Sequence, residues 1–228
     1  MRTTRVHSFD SILKGIHLVH RTSRFVVVEK PSGVLSVPGI GPEKADCVVS
    51  RVHSVLSALG AAPALSSPGQ MIVHRLDMDT SGLMVVALDA DSQRQLSLQF
   101  EERRPEKTYI ALVAGLVRAD EGTIDLPMRL DVENRPYQIV DHAHGRPAKT
   151  HFRVLARETD RTRVEFRPIT GRTHQIRVHA SKGLGHPILG DPLYGDHPDA
   201  RLMLHAAFLS FVEPGGAARL EFRSAPPF

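Results

Sequence analysis

Residues 71–88 read MIVHRLDMDTSGLMVVAL and place several polar side chains between two apolar runs, 71–73 and 83–88. Apolar runs that are rich in β-branched residues are typical of strands, so we expect a strand on each side of a short loop. Loops held on rigid strands are common positions for catalytic groups. Asp77, in the middle of this loop, is therefore the first candidate catalytic residue.

The length and composition predict a globular protein with a substantial core. The chain has 228 residues, of which 41% are hydrophobic, so one large domain or two small ones can form. Cys47 is the only cysteine, which excludes an internal disulfide and fits a reducing compartment. No uncharged apolar stretch approaches the roughly 20 residues of a membrane helix, and the N-terminus lacks the apolar stretch of a secretory signal. We expect a cytoplasmic protein without a membrane partner.

Charge and histidine content indicate which ligands the chain is suited to bind. The formal net charge of +4 favours polyanions, of which a nucleic-acid backbone is a common example. There are 13 histidines, but the spacings typical of metal sites, such as HExxH and CxxC, do not occur. His142 and His144 are interpreted as exposed loop residues. We therefore predict no metal site.

Several segments have strand patterns that favour an antiparallel sheet. Residues 25–29 form an apolar, β-branched run, and residues 108–115 form another. Residues 162–167, TRVEFR, alternate polar and apolar, as a half-buried antiparallel strand does, and we expect them to pair with 151–155 across a turn. The apolar segment 202–212 fits a strand or a buried helix equally well. Strands and helices do not alternate in a βαβ order, so the predicted class is α+β, with a mixed, mostly antiparallel central sheet and flanking helices and loops.

Helix patterns occur in three places. Apolar residues recur at helical spacing within 48–60. Asp89 or Asp91 can cap a second helix that runs through Arg104 and ends before a proline. Residues 173–183 are predicted to form a short helix closed by Gly183.

The chemistry of Asp77 has several interpretations when the residues are considered alone. Asp77 and Asp79 form a D-x-D pair that could hold a divalent metal, although such sites normally recruit more carboxylates. Alternatively, the Asp77 oxygens could accept hydrogen bonds from loop N–H groups in a purely structural role. The remaining interpretation is a catalytic carboxylate. A protein-kinase catalytic loop is excluded because the glycine-rich loop and the Asp-Phe-Gly motif are missing.

A second polar cluster, RPITGRTHQIRVH, covers residues 167–179. Arg172 stands at the start of the predicted helix, where a guanidinium and backbone N–H groups together suit a phosphate. A solvated basic helix face explains the same residues.

Several blocks of the sequence are motifs that occur together, and in this order, in one known family: KPSGVLSVPG (30–39), HRLDMDTSGL (74–83), EKTYIALVAG (106–115), NRPYQIV (134–140), RPITGRTHQIRVHASKGLGHPILGDPLYG (167–195) and LMLHA (202–206). They resemble the motifs of the RluA-type RNA pseudouridine synthases, from about residue 18 to the C-terminus. Within that family the chain is most similar to the short subtype, which lacks an N-terminal S4-like domain and modifies a large-subunit rRNA hairpin and certain tRNA anticodon stem-loops. The resemblance implies an N-terminal extension, 1–17, and a single catalytic domain with the pseudouridine synthase fold, 18–228.

The resemblance also implies roles for individual residues. Asp77 is the nucleophile, Arg177 keeps it anionic in a pocket that excludes water, and Tyr109 stacks on the uracil. Arg75 fills the stack that the flipped uridine leaves. His74 either contacts RNA or makes a loop hydrogen bond, and both interpretations stay open.

The implied reaction needs no further group. Converting uridine to pseudouridine exchanges an N1–C1′ bond for a C5–C1′ bond, so no cofactor or metal is expected. The expected partner is RNA, rRNA or a tRNA stem-loop or both, and the protein is expected to be a monomer. The competing hypothesis is a catalytically silent RNA-binding or folding factor on the same scaffold.

Overall fold

A computed structural model describes residues 15–228. Two compact units divide this part of the chain: one runs through Glu106 and takes in Phe208–Ser224, and the other comprises Lys107–Ala207 and Ala225–Phe228. Residues 1–14 of the predicted extension, 1–17, lie outside the described residues, and its boundary with a domain 18–228 stays a prediction. None of the helices in the described part is long and apolar enough to cross a membrane.

The first unit is built on a sheet whose central strands are buried on both faces. The strands are β1 (His17–Arg21), β2 (Phe25–Lys30), β3 (Ser81–Ala87), β10 (Leu204–Val212), which begins in the second unit, and β11 (Arg219–Arg223). Their order is β1-β2-β3-β10, with β11 beside β10. The paired strands β1 and β2, β2 and β3, and β10 and β11 are antiparallel.

Helices cover both faces of β2 and β3, which explains their continuous apolar sequences. Val26, Val28 and Val86 pack with the buried valines of helix α1 (Val48–Ala58). Phe25 and Val85 face the other way, toward a cluster that includes Leu96 of helix α2 (Ala90–Glu101). Asp89 caps α2, because its Oδ1 accepts a hydrogen bond from the Ser92 N–H at 2.8 Å. The strand at 25–29 and both helices are therefore confirmed.

The second unit contains the strands β4 (Glu106–Ala114), β5 (Glu121–Asp125), β8 (Lys149–Arg157) and β9 (Arg161–Pro168). They form an antiparallel sheet in the order β4-β9-β8-β5. A small hairpin, β6 (Met128–Leu130) and β7 (Gln138–Val140), follows β5.

The predicted pairing of residues 162–167 with 151–155 is confirmed, with Phe152 opposite Phe166 and Val154 opposite Val164. These four side chains belong to one apolar cluster, while the residues between them on β9 are more exposed.

The predicted mostly antiparallel α+β class is confirmed, with differences in three segments. Residues 202–212, left open between strand and helix, contain β10. The predicted strand at 71–73 is wrong, since a 3₁₀ helix, Pro68–Met71, precedes the loop of Asp77. Its proline and glycine suit a turn, and Met71 is buried without being part of a strand.

The helix predicted at 173–183 both begins and ends later than expected. Helix α3 covers Gln175–Val178 and continues as a π-helix, His179–Leu184. The closing residue is Gly185, in the left-handed conformation with φ 72°, and not Gly183. Gly183 has a different role, because a Cβ there would clash with a methyl carbon of Ile124. Gly183 therefore permits close packing against β5.

Candidate active site

The loop that carries Asp77 is bound to a second loop of the first unit, residues 30–36. Ser36 makes two hydrogen bonds with Leu76: its Oγ accepts from the Leu76 N–H at 3.0 Å and donates to the Leu76 carbonyl at 2.7 Å. Ser32 Oγ donates to the Asp79 carbonyl at 2.7 Å. The backbone is therefore anchored on both sides of Asp77.

Lys30 fixes the same region from the interior. Its side chain is fully buried at 0% exposure, and its Nζ donates to the carbonyls of Pro31 at 2.9 Å, Val34 at 2.7 Å and Met78 at 2.6 Å. An ammonium group has three donors, and the three carbonyls accept all of them. The Met78 carbonyl also accepts from the Gly33 N–H at 3.0 Å. The residue next to Asp77 is thus held by a buried cation.

Asp77 itself is partly exposed, and Arg75 is exposed. The Asp77 carbonyl accepts a hydrogen bond from the Thr80 N–H at 3.2 Å, which closes a turn. Asp77 is therefore partly accessible and lies on a loop whose backbone is anchored on both sides. These are the properties that a nucleophile needs.

The ring of His74 is packed within the first unit. Its Nε2 accepts a hydrogen bond from the Val85 N–H at 3.0 Å, so the proton of the neutral ring lies on Nδ1. One face of the ring stacks on Phe100, with ring centroids 4.3 Å apart and planes inclined by 10°. Of the two interpretations of His74, the loop hydrogen bond is present, and the RNA contact stays a prediction.

Tyr109 and Arg177 lie in the second unit. Tyr109 is a partly exposed residue of β4, opposite Phe166 of β9, and packs at the edge of the apolar cluster. Arg177 is 3% exposed and makes a two-pronged ion pair with Asp191. Its Nε donates to Asp191 Oδ2 at 2.8 Å and its Nη2 to Asp191 Oδ1 at 2.6 Å.

The ion pair between Arg177 and Asp191 is buried on both sides, because the Asp191 side chain is 0% exposed. Two parallel N–H···O bonds fix a guanidinium in its plane as well as in its position. Breaking such a pair leaves one buried charge without compensation, at a cost of about 3–5 kcal/mol. Arg177 is therefore held rigidly by this carboxylate.

Arg172 does not stand at a helix start. Helix α3 begins three residues later, and the Arg172 N–H donates to Gln175 Oε1 at 3.0 Å. The Arg172 Nε donates to the Pro147 carbonyl at 3.2 Å, and the residue is partly exposed. The expected combination of Arg172 with outward-pointing N–H groups of a helix is therefore wrong, and an RNA contact by Arg172 stays a prediction.

Comparison with known proteins decides the family. A family model described as RNA pseudouridylate synthase matches residues 24–182. The chain belongs to the RNA pseudouridylate synthase family. It is 45% identical over 217 residues to the dual-specificity RNA pseudouridine synthase RluA of Yersinia pestis, covering 92% of this chain and 99% of that protein. The corresponding RluA of Escherichia coli strain K12 is 42% identical, with 92% of this chain and 93% of that protein covered.

Solved structures agree with this assignment. The chain is similar to human RNA pseudouridylate synthase domain containing 4, with a TM-score of 0.75 and 25% identity over 97% of this chain and 92% of the other. The human domain containing 1 gives a TM-score of 0.72 and 28% identity, with 100% and 87% covered. The resemblance and the enzyme class predicted from the motifs are confirmed: the chain is an RNA pseudouridine synthase, an isomerase.

Sequence reasoning missed two features of this pseudouridine synthase. Lys30 and Ser36 lie within one of the motif blocks, but the bond from Lys30 to Met78 and the bonds between Ser36 and Leu76 span 48 and 40 positions. Asp191 also lies within such a block, but it is one of 25 acidic residues, and no local spacing marks it as the partner of Arg177. As for the D-x-D interpretation, no three His, Cys, Asp or Glu side chains among residues 15–228 form a group that could hold a metal ion.

Proposed function

We propose that this pseudouridine synthase converts uridines in structured RNA to pseudouridine with Asp77 as the nucleophile. The observation that carries the proposal is the position of Asp77, partly exposed on a loop whose backbone is anchored by Ser36 and Lys30. The reaction detaches uracil at N1–C1′, turns it and joins C5 to C1′. Every atom of the substrate is retained except for the exchange of the C5 proton, so one anionic group in a fixed position can perform it.

Arg177 and Tyr109 complete the proposed site. By the family resemblance, Arg177 would keep Asp77 anionic when the uracil excludes water, since a guanidinium stays charged at any relevant pH. Its two-pronged ion pair with Asp191 holds the guanidinium in one orientation. Tyr109 would stack on the uracil, a contact worth about 1–3 kcal/mol per base in single-stranded complexes.

RNA recognition is proposed to involve base flipping. A uridine in a stem-loop must leave its stack before Asp77 can reach it, at a cost of a few kcal/mol. Arg75 is exposed, two positions from Asp77, which suits it to occupy the vacated stack. Arg172 and His74 are proposed as further RNA contacts, although His74 also serves the loop.

The proposed substrates are a hairpin of large-subunit rRNA and a tRNA anticodon stem-loop, and the proposed location is the cytoplasm, where both are available. The relatives named above are dual-specificity enzymes, which supports two classes of target. We propose that the protein acts as a monomer. Pseudouridine mapping in total RNA from a strain that lacks the gene should reveal lost sites in both RNA classes.

Tritium release from RNA that contains [5-³H]uridine tests the nucleophile. We expect release by the wild type and only background release by Asp77→Asn, which removes the negative charge without changing the shape. Asp79→Asn is the matched control, because it makes the same change in the same loop and should stay active. Equal release by Asp77→Asn and wild type would exclude the proposed role, and no release by either would favour the silent RNA-binding factor.

A further inference from the structure

The guanidinium of Arg177 is held by two residues that come from the same short segment, Asp191 and Tyr194. Asp191 forms the two-pronged ion pair with Arg177. The Tyr194 ring lies against the cation, with the Arg177 Cζ 5.2 Å from the ring centroid. We infer that Asp191 and Tyr194 are positioning residues for the isomerisation, which fix the position and the plane of the Arg177 guanidinium. The inference rests on the proposed function for the role of Arg177.

Asp191 is suited to this role because its own carboxylate cannot turn. Besides the two Arg177 donors, its Oδ1 accepts the N–H of Leu193 at 2.9 Å and of Tyr194 at 3.1 Å. The backbone that follows Asp191 therefore wraps around its side chain. A carboxylate fixed in this way transmits its orientation to the guanidinium, because the two-pronged pair is planar.

Tyr194 is fixed at both ends. Its carbonyl accepts from Ser181 Oγ at 2.9 Å, on the π-helix that follows α3. Its hydroxyl accepts from the Gln138 N–H of β7 at 2.8 Å and shares a hydrogen bond of 2.7 Å with His174 Nδ1. The ring between these ends lies against the Arg177 guanidinium, and the contact with the cation is made by the ring itself. A cation on an aromatic face gains further stability when it is shielded from water.

The charges of this cluster decide what Arg177 contributes. Asp191 places a full negative charge next to the guanidinium, and both groups are buried. The pair is neutral as a unit, so the electrostatic effect of Arg177 on a neighbouring anion depends on where its guanidinium lies and how it is oriented. Orientation should therefore limit the rate: a displacement of about 1 Å at a catalytic group can cost about 100-fold.

The two interactions can be removed separately. Asp191→Asn keeps the shape of the side chain but turns an NH₂ group toward the guanidinium, so the two-pronged ion pair is lost. We expect the single-turnover rate to fall about 100-fold. Tyr194→Leu removes the ring and should lower the rate about 10-fold. Tyr194→Phe keeps the ring and loses only the hydroxyl, and should stay within about 3-fold of the wild type. Asp120→Asn is the control, because its carboxylate pairs with Arg157 at 2.7 Å on the exposed surface of the same unit.

The assay is tritium release at saturating protein, with [5-³H]uridine-labelled bulk RNA from a strain that lacks the gene. Filter binding of the same RNA at one salt concentration gives the dissociation constant. A positioning role predicts that the rate falls while the dissociation constant stays within about 2-fold. Thermal unfolding identifies the variants that fold, and if Asp191→Asn does not fold, the comparison of Tyr194→Leu with Tyr194→Phe decides.

Three results would overturn the inference. The first is a wild-type single-turnover rate in the folded Asp191→Asn or Tyr194→Leu protein. The second is a change confined to the dissociation constant. The third is an equal loss in Tyr194→Phe and Tyr194→Leu, which would assign the effect to the hydroxyl and its partners Gln138 and His174.

A second readout separates this inference from the proposed function. The ¹⁵N resonance of the Arg177 Nε–H, identified by its disappearance in Arg177→Lys, should exchange with solvent at least about 10-fold faster in Asp191→Asn. Unchanged exchange would show that Asp191 does not hold Arg177, whatever the enzyme's activity. Absence of tritium release by the wild type would instead refute the proposed function and leave the exchange measurement to decide the holding role.

Discussion

Arg177 and Asp191 form a buried two-pronged ion pair, with an Nε–Oδ2 distance of 2.8 Å and an Nη2–Oδ1 distance of 2.6 Å. The pair explains how an arginine can sit almost fully buried, since each charge compensates the other and the carboxylate also accepts two backbone N–H groups. The stability of the protein therefore depends on Arg177, and the proposed catalytic role would make turnover depend on it as well.

Arg177→Met is expected to abolish turnover and to destabilise the protein by about 3–5 kcal/mol, because it leaves the Asp191 carboxylate buried and unpaired. Denaturant unfolding measures the stability and tritium release measures the activity. The double variant Arg177→Met/Asp191→Leu removes both charges and should recover most of the stability without recovering activity. Near-wild-type turnover in the single variant would contradict a catalytic role for Arg177.

Lys30→Met is expected to lower the free energy of unfolding by about 2–5 kcal/mol, because three backbone carbonyls lose a charged donor whose side chain is fully buried. Turnover should fall as well, since the Met78 carbonyl next to Asp77 is one of the three. Lys44→Met, an exposed lysine in the same unit, is the matched control and should change neither quantity. Unchanged stability in Lys30→Met would show that the Asp77 loop does not depend on this cation.

Arg75→Ala is expected to reduce tritium release from hairpin RNA by about 10-fold or more while the free energy of unfolding stays within about 0.5 kcal/mol, because the side chain is exposed. The physical reason is the loss of the group that would replace the flipped uridine in its stack. Arg94→Ala removes another exposed arginine of the same unit and controls for the change in net charge. Wild-type release by Arg75→Ala would refute the stacking role.

The fold was predictable where burial is periodic. Strict alternation in 162–167 identified a half-buried strand and its hairpin partner, and helical spacing in 48–60 identified α1, because each pattern maps directly onto one face of an element. The short apolar run at 71–73 carries no such period, and burial of Met71 alone could not distinguish a strand from a 3₁₀ turn.

The site was predictable only in part. The family motifs pointed to Asp77, Tyr109 and Arg177, but they did not indicate which groups hold them. Lys30 bonds to Met78, 48 positions away, and Arg177 bonds to Asp191 across a π-helix and a loop. Such partners are set by tertiary packing, which leaves no mark in the local sequence.

A final prediction concerns pH and His179, which is fully buried. Burial lowers the pKa of His179 below its usual 6.5, and this effect exceeds the opposing influence of the Leu126 carbonyl and the Asp125 charge. Below about pH 6.5 the unfolded chain therefore binds a proton at this histidine more readily than the folded chain does. The contribution of His179 to the free energy of unfolding is fully present above about pH 6.5 and declines as the pH falls below it. The decline is at most about 1.4 kcal/mol per pH unit. Denaturant unfolding between pH 7.5 and about pH 5 should give a shallower decline for His179→Gln than for the wild type. The exposed-histidine variant His142→Gln should keep the wild-type decline, and identical slopes in all three proteins would show that His179 does not titrate differently on folding.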